Sequence, residues 1–154
     1  MFAPNEIVNI YSSGLGSPVL ATAAADASGA FTVSAQVPQS TFGPRVFMGL
    51  GQDSRLLGAA RFGVNSRLTL NPQSGSAGSS FVVQGFGFYP FWGLKISWGK
   101  SVLLGTASTD RYDTFAGAAA ITATVPQGSQ PGVYEIEATF SDGRVWAKAS
   151  FTVN

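Results

Sequence analysis

The sequence predicts an all-β chain of two tandem β-sandwich units, the first lacking its opening strands. Three observations carry this. Short runs of alternating apolar and polar residues recur along all 154 residues, cut by Gly, Pro, Asn and Asp about every 8–12 positions. No apolar stripe with the 3.6-residue helical period runs past two turns. The chain also repeats itself: Phe2-Ala3-Pro4-Asn5-Glu6 aligns with Phe88-Tyr89-Pro90-Phe91-Trp92, and the punctuation after each recurs. The second of these lies in Gln84–Gly93, which ends one strand, turns on glycines and a proline, and starts another. The units are residues 1–64 and 65–154, joined near Val64–Arg67.

In the first unit, Ile7-Val8-Asn9-Ile10-Tyr11 reads as a strand with Val8 and Ile10 on one face. A Gly/Ser turn follows over Ser12–Ser17, then a short strand over Pro18–Thr22. The alanine-rich Thr22–Ala25 tolerates helix but is too short to form one alone. Asp26-Ala27-Ser28-Gly29 is a turn, because Asp bonds its own backbone and Gly accepts positive φ. Phe31–Val37 alternates apolar and polar and reads as a third strand, stopped by Pro38. Val46–Leu50 and Ala59–Val64 are the last two, joined by a polar loop at Gln52–Ser54, giving about five strands.

The second unit keeps this order. Leu94–Trp98, Val102–Thr106, Ala120–Val125, Pro131–Ala138 and Arg144–Val153 read as strands, with Asp110 in the role of Asp26 and a tight turn at Ser141–Gly143. Two strands precede them here and not in the first unit: Arg67–Leu70 and Ser80–Gln84. The count is about seven. Expected inward residues are Phe81, Val83, Phe88, Leu94, Ile96, Ile121, Ala123, Val125, Tyr134, Ile136, Ala138, Phe151 and Val153. In the first unit they are Val8, Ile10, Phe31, Val33, Val37, Phe47 and Phe62.

The run Leu68-Thr69-Leu70-Asn71-Pro72, Gly75, Gly78–Phe88 and Pro90 resembles the opening of bacterial immunoglobulin-like repeats of the IPT/TIG-like kind. The Asp turn before a Phe, Val125-Pro126 and Pro131-Gly132-Val133-Tyr134 extend the resemblance through the second unit, and it covers the first from Phe2. The chain departs from the pattern at Phe91-Trp92, where such repeats carry small or charged residues, as Asn5-Glu6 does. The resemblance implies two immunoglobulin-like sandwiches, in an extracellular or cell-surface protein where such repeats stand in tandem. It implies no chemistry, because its motifs are turn signals.

Composition narrows the function. Charged residues make up 11% of the chain and hydrophobic ones 45%. A net charge of +1 gives no electrostatic reason for a nucleic-acid or anionic-membrane partner. No segment reaches the ~20 apolar residues of a membrane span. Met1–Glu6 lacks a basic stretch before an apolar run, so it does not read as a signal peptide. With no Cys and no His, a Ser-His-Asp triad, a Cys-His pair and most zinc sites are excluded. Glu135 and Glu137 sit two apart on one strand and are expected to point outward together, not across a cleft. Asp110–Asp113 reads as a turn with a local ion pair rather than a calcium site. The expectation is a non-enzyme with no catalytic residue, cofactor or metal.

Two sets of residues remain as candidate contacts. Tyr89, Phe91 and Trp92 crowd one loop, which costs solubility unless something covers them. They suit packing between domains or chains, or a sugar-stacking platform. Val8, Ile10, Phe31 and Val33 belong to the sheet face left open by the missing opening strands. About five or six apolar side chains on that face, at roughly 1.5–3 kcal/mol each, amount to on the order of 10 kcal/mol. Sequence upstream of Met1, the flank of the second unit, or a neighbouring chain would have to cover it. With Asn154 directly after the last strand, no spare donor strand is expected there. The expected function is a structural or adhesive immunoglobulin-like module that self-associates as a fibre or surface-stalk subunit, with copies or neighbouring repeats as partners. The alternative is a carbohydrate-binding accessory module using residues 89–92.

Overall fold

The computed structural model describes residues 1–12, 14–38 and 42–154. Among these residues the chain is all β, apart from one 3-10 turn at Gly117–Ala119. It divides into two compact units: Met1–Pro38 with Gly43–Val64, and Asn65–Asn154 with Phe42.

The first unit is a four-stranded antiparallel sheet. Its strands are β1 (Ile7–Ser12), β2 (Val19–Ala24), β3 (Gly43–Gly51) and β4 (Leu57–Val64), in the order β2-β1-β3-β4. Alternation along β1 buries Val8 and Ile10. The alanines at 23 and 24 complete β2 opposite Val8 and Ile7, so the ladder overrides their helix tolerance.

The second unit is a sandwich of two sheets around one core. Its strands are β5 (Arg67–Asn71), β6 (Ser74–Gly75), β7 (Ser80–Phe86), β8 (Gly93–Trp98), β9 (Val102–Ser108), β10 (Ile121–Thr124), β11 (Gly132–Thr139) and β12 (Val145–Val153). One sheet runs β10-β7-β5 and the other β6-β12-β11-β8-β9. Strict alternation buries Phe81, Val83 and Gly85 from β7 and Leu94, Ile96 and Trp98 from β8. The side chains of Phe81 and Phe151 meet across the core with ring centroids 4.6 Å apart. Phe88, Phe115, Ile136 and Val125 are also fully buried. Each contributes roughly 1.5–3 kcal/mol of apolar burial.

Gly85 is fitted to this core. Phe115 exchanges two backbone hydrogen bonds with it, each 3.0 Å. A Cβ at Gly85 would stand 2.1 Å from the Phe115 ring. Glycine is therefore what lets a phenylalanine fill the space beside that strand.

The sheet of the first unit matches four strands of the second. Read in the same sense, β2-β1-β3-β4 corresponds to β9-β8-β11-β12. β1 and β8 are both six residues long, and each carries a register shift against its partner at the same point, Ile10/Tyr11 and Ile96/Ser97. The aspartate turns match bond for bond. Asp26 accepts from the N–H groups of Ser28 and Ala30, and Asp110 from those of Tyr112 and Thr114. Phe2 packs on Phe31 with centroids 5.6 Å apart, and Phe88 on Phe115 at 5.9 Å.

The expected strand Phe31–Val37 does not form, so the first unit has four described strands and not five. Its counterpart, β10, forms by pairing with β7. Among the described residues the first unit contains no equivalent of β7, and no described residue exchanges a backbone hydrogen bond with Phe31–Val37. An extended segment without a ladder partner stays irregular. For the same reason Val37 and Phe62, expected inside, are 38% and 42% exposed. In the second unit the seven expected strands form and β6 is added, pairing parallel with β12. Ile121 and Tyr134, expected inside, are half-buried against the core.

Candidate functional site

The inner face of the first sheet carries an apolar groove of about 480 Å³. Phe2, Ile10, Phe31, Val33, Phe47 and Phe62 line it. Of the candidate contact residues, Ile10, Phe31 and Val33 are brought together here. Val8 is not: it is fully buried and lies outside the groove. Phe47 and Phe62 meet edge to face at 5.8 Å, one on β3 and one on β4. In the second unit the equivalent face is covered by β5, β7 and β10.

The turn entering β1 holds Asn5 at φ 61°, and the matching turn entering β8 holds Phe91 at φ 57°. Asn tolerates this left-handed conformation; a bulky aromatic is strained in it. Phe91 is also 76% exposed. The next residue does the same work in both turns by different chemistry. Glu6 is buried and reaches the β3–β4 loop, accepting from the N–H groups of Asp53 and Ser54 at 3.1 and 2.9 Å and from the Ser54 hydroxyl at 2.7 Å. Trp92 reaches the β11–β12 turn by packing on Phe140, with centroids 4.4 Å apart. The backbone frame is shared: Ala25 N–H donates to the Glu6 carbonyl at 2.9 Å, and Thr109 N–H to the Trp92 carbonyl at 3.0 Å.

Tyr89 and Trp92 belong to a ring cluster. Tyr89 lies 5.2 Å from Trp92, 5.6 Å from Trp146 and 5.9 Å from Phe42. Thr109 fastens the loop, donating to the Tyr89 carbonyl at 2.6 Å and accepting from Trp92 N–H at 2.9 Å. The planes of Tyr89 and Trp92 are 32° apart. Of the three expected loop aromatics, Tyr89 is half-buried, Trp92 half-exposed, and Phe91 stands clear. The partners Phe140 and Trp146 were not legible as part of this cluster, because the turn that delivers them is about fifty residues further along the chain.

Burial opposes ionisation of Glu6, but four hydrogen bonds outweigh it. The Ser54 N–H and hydroxyl, the Ala3 N–H and the Asp53 N–H bring its pKa down to about 2 from 4.5. A carboxylate with a lowered folded-state pKa stabilises above its unfolded value, and that stability is lost as pH falls through the folded one. The first unit is expected to lose the Glu6 contribution between about pH 4.5 and pH 2. The exchange protection factors of the Asp53 and Ser54 amides, corrected for the intrinsic rate at each pH, should fall over that window, and Glu6→Gln should flatten the response. An unchanged profile in the variant would refute the assignment.

Glu135 and Glu137 share one cation. Lys148 Nζ lies 2.7 Å from Glu135 and 3.0 Å from Glu137, and hydrogen bonds to Glu135 and then Glu137 raise its pKa. They lie on one outer face, as expected, but Glu137 is buried there, with Lys148 held against it. Among the described residues no group of three His, Cys, Asp or Glu is placed to hold a metal ion, and no helix is long and apolar enough to cross a membrane.

The sequence matches no protein-family model and no curated protein. Among the solved structures that resemble the chain are these two. One is the Bacteroides ovatus mixed-linkage glucan utilization locus SGBP-B, in complex with a mixed-linkage heptasaccharide. It shows 12% identity and a TM-score of 0.42, over 100% of this chain and 42% of that one. The other is the BSP domain of a biofilm associated protein, at 15% identity and a TM-score of 0.34, over 99% of this chain and 25% of that one. The chain thus spans less than half of either.

Proposed function

We propose that the chain is a non-enzymatic structural or adhesive module of an extracellular or cell-surface protein, built from immunoglobulin-like repeats. It associates with copies of itself or with neighbouring repeats through the open face of the first unit. The observation that carries this is the groove over Ile10, Phe31, Val33 and Phe47, an apolar face with no second sheet on it among the described residues. Such a face drives association, and the 11% share of charged residues offers little repulsion against it. The carboxylates arranged around Lys148 support the non-enzymatic part: they are held by one ammonium and face no cleft across from another acid.

Light scattering and negative-stain microscopy at micromolar concentration test the reading. The chain is expected to associate with rising concentration, and Val33→Lys to weaken association at least tenfold. Val33 lies on a segment outside the sheet ladder, so this change spares the folded strands. A monomer at every concentration would overturn self-association.

A second reading, carbohydrate binding at residues 89–92, has one observation in its favour. Phe91 is both strained and exposed, beside a Trp92 that is 45% exposed. Loss of binding to soluble polysaccharides in Trp92→Ala would support it, and unchanged binding would remove this loop as the platform.

A further inference from the structure

We propose that the groove of the first unit is an acceptor for a β-strand, supplied by the opening segment of another unit of this kind and added antiparallel to Phe31–Val37. This rests on the reading of the open face as an association surface and names how the contact is made.

The second unit shows what the occupant looks like. There β10 pairs with β7 in the register Ile121↔Val83 and Ala123↔Phe81, and Phe115 bridges to Gly85. Counting back from the shared Val-Pro, Ile121 corresponds to Val33 and Ala123 to Ala35; from the aspartate turn, Phe115 corresponds to Phe31. The second unit spends four extra residues, Gly117–Ala120, between Phe115 and Ile121, and they form the 3-10 turn and its cap. The first unit lacks them. Phe31 and Val33 are therefore two residues apart, the same spacing as Gly85 and Val83 on the strand they would face. Phe31–Val37 is cut to pair continuously where its counterpart must loop out.

The side chains are also set. Phe31, Val33, Ala35 and Val37 all line the groove. The small Ala35 leaves room for a large ring opposite, as Ala123 does for Phe81. The occupant must carry glycine opposite Phe31, because at Gly85 a Cβ would meet the corresponding ring at 2.1 Å. The specificity is thus an alternation of large apolar, apolar and glycine at every second residue. This chain's own β7 cannot serve, since it is hydrogen-bonded to β5 on one side and β10 on the other. Strand addition of this type takes its affinity from main-chain bonds and its register from alternate side-chain pockets.

The test uses the full chain and a labelled synthetic peptide with the sequence Ser80–Phe86 and lysine tails. Binding is read by fluorescence anisotropy and by amide exchange. The peptide is expected to bind, to slow exchange at alternate amides of Phe31–Val37 at least tenfold, and to dissolve assemblies of the chain. A peptide carrying Gly85→Val is expected to bind at least tenfold more weakly. The altered residue lies in the probe, so the folding of the chain does not confound this comparison. Equal binding of the two peptides, or no protection at Phe31–Val37 with peptide bound, overturns strand addition. If the chain associates but the peptide neither binds nor dissolves the assembly, open faces meet directly: the inference falls and the proposed function stands. If the chain is monomeric yet binds the peptide in register, self-association falls and the acceptor groove stands.

Discussion

Replacing Phe81 by alanine is expected to cost the second unit about 3–5 kcal/mol. Phe81 is 1% exposed, and its ring meets Phe151 at 4.6 Å and Trp98 at 6.1 Å. It spans the space between the two sheets, whose backbones are fixed by their ladders and cannot close over a lost ring. The cost is therefore transfer plus cavity. A domain holds only about 5–15 kcal/mol in all, so the denaturation midpoint should fall by a large fraction with little change in slope. Phe91→Ala is the matched control: an aromatic of equal size, 76% exposed and at positive φ, whose loss should leave stability within about 0.5 kcal/mol. A Phe81→Ala cost below about 1 kcal/mol would mean the sheets do not share one core.

Gly85→Val is expected to be comparably severe, about 3 kcal/mol, at the upper end of overpacking costs. The first added carbon alone would sit 2.1 Å from one ring atom of Phe115 and 2.5 Å from another. The ring cannot retreat, because its own backbone is tied to Gly85 by the 3.0 Å pair. Removing the ring in the same chain should recover part of the loss. Gly85→Val with Phe115→Ala is expected to be more stable than the sum of the two single changes, with a coupling of about 1–3 kcal/mol. Additive costs would show that the glycine is needed for something other than the phenylalanine beside it.

The alternating runs of the second unit were enough to place its strands, because both faces of each ladder obey the period of two and the turns carry their own residues. Its inward set was mostly legible for the same reason. What escaped were Leu68, Leu70, Trp98, Ala107, Phe115, Phe140 and Ala147, which are buried. Phe115 and Phe140 lie outside the strands, where no alternation announces them. Glu137 escaped because its burial depends on a lysine from the next strand. In the first unit Phe31–Val37 has the pattern of a strand, and the pattern is sound: what is absent is a partner, which no local feature of those seven residues can reveal. The opposition of Ile10, Phe31 and Val33 was legible from the strand count. The full burial of Val8, apart from the groove, was not.

The two turns at Asn5-Glu6 and Phe91-Trp92 share a backbone and differ in what they grip with. One is an ionic latch and the other a greasy one. Structure-making salts such as sulfate strengthen apolar burial, while the buried, hydrogen-bonded Glu6 carboxylate is little screened by salt. Cooling weakens the apolar grip and has no comparable hold on the hydrogen-bonded carboxylate. Two halves drawn to one plan therefore answer the same change of surroundings differently. Sulfate tightens the Trp92 turn and leaves the Glu6 turn little changed, and acid releases only the latter. A string of such units would not loosen all at once.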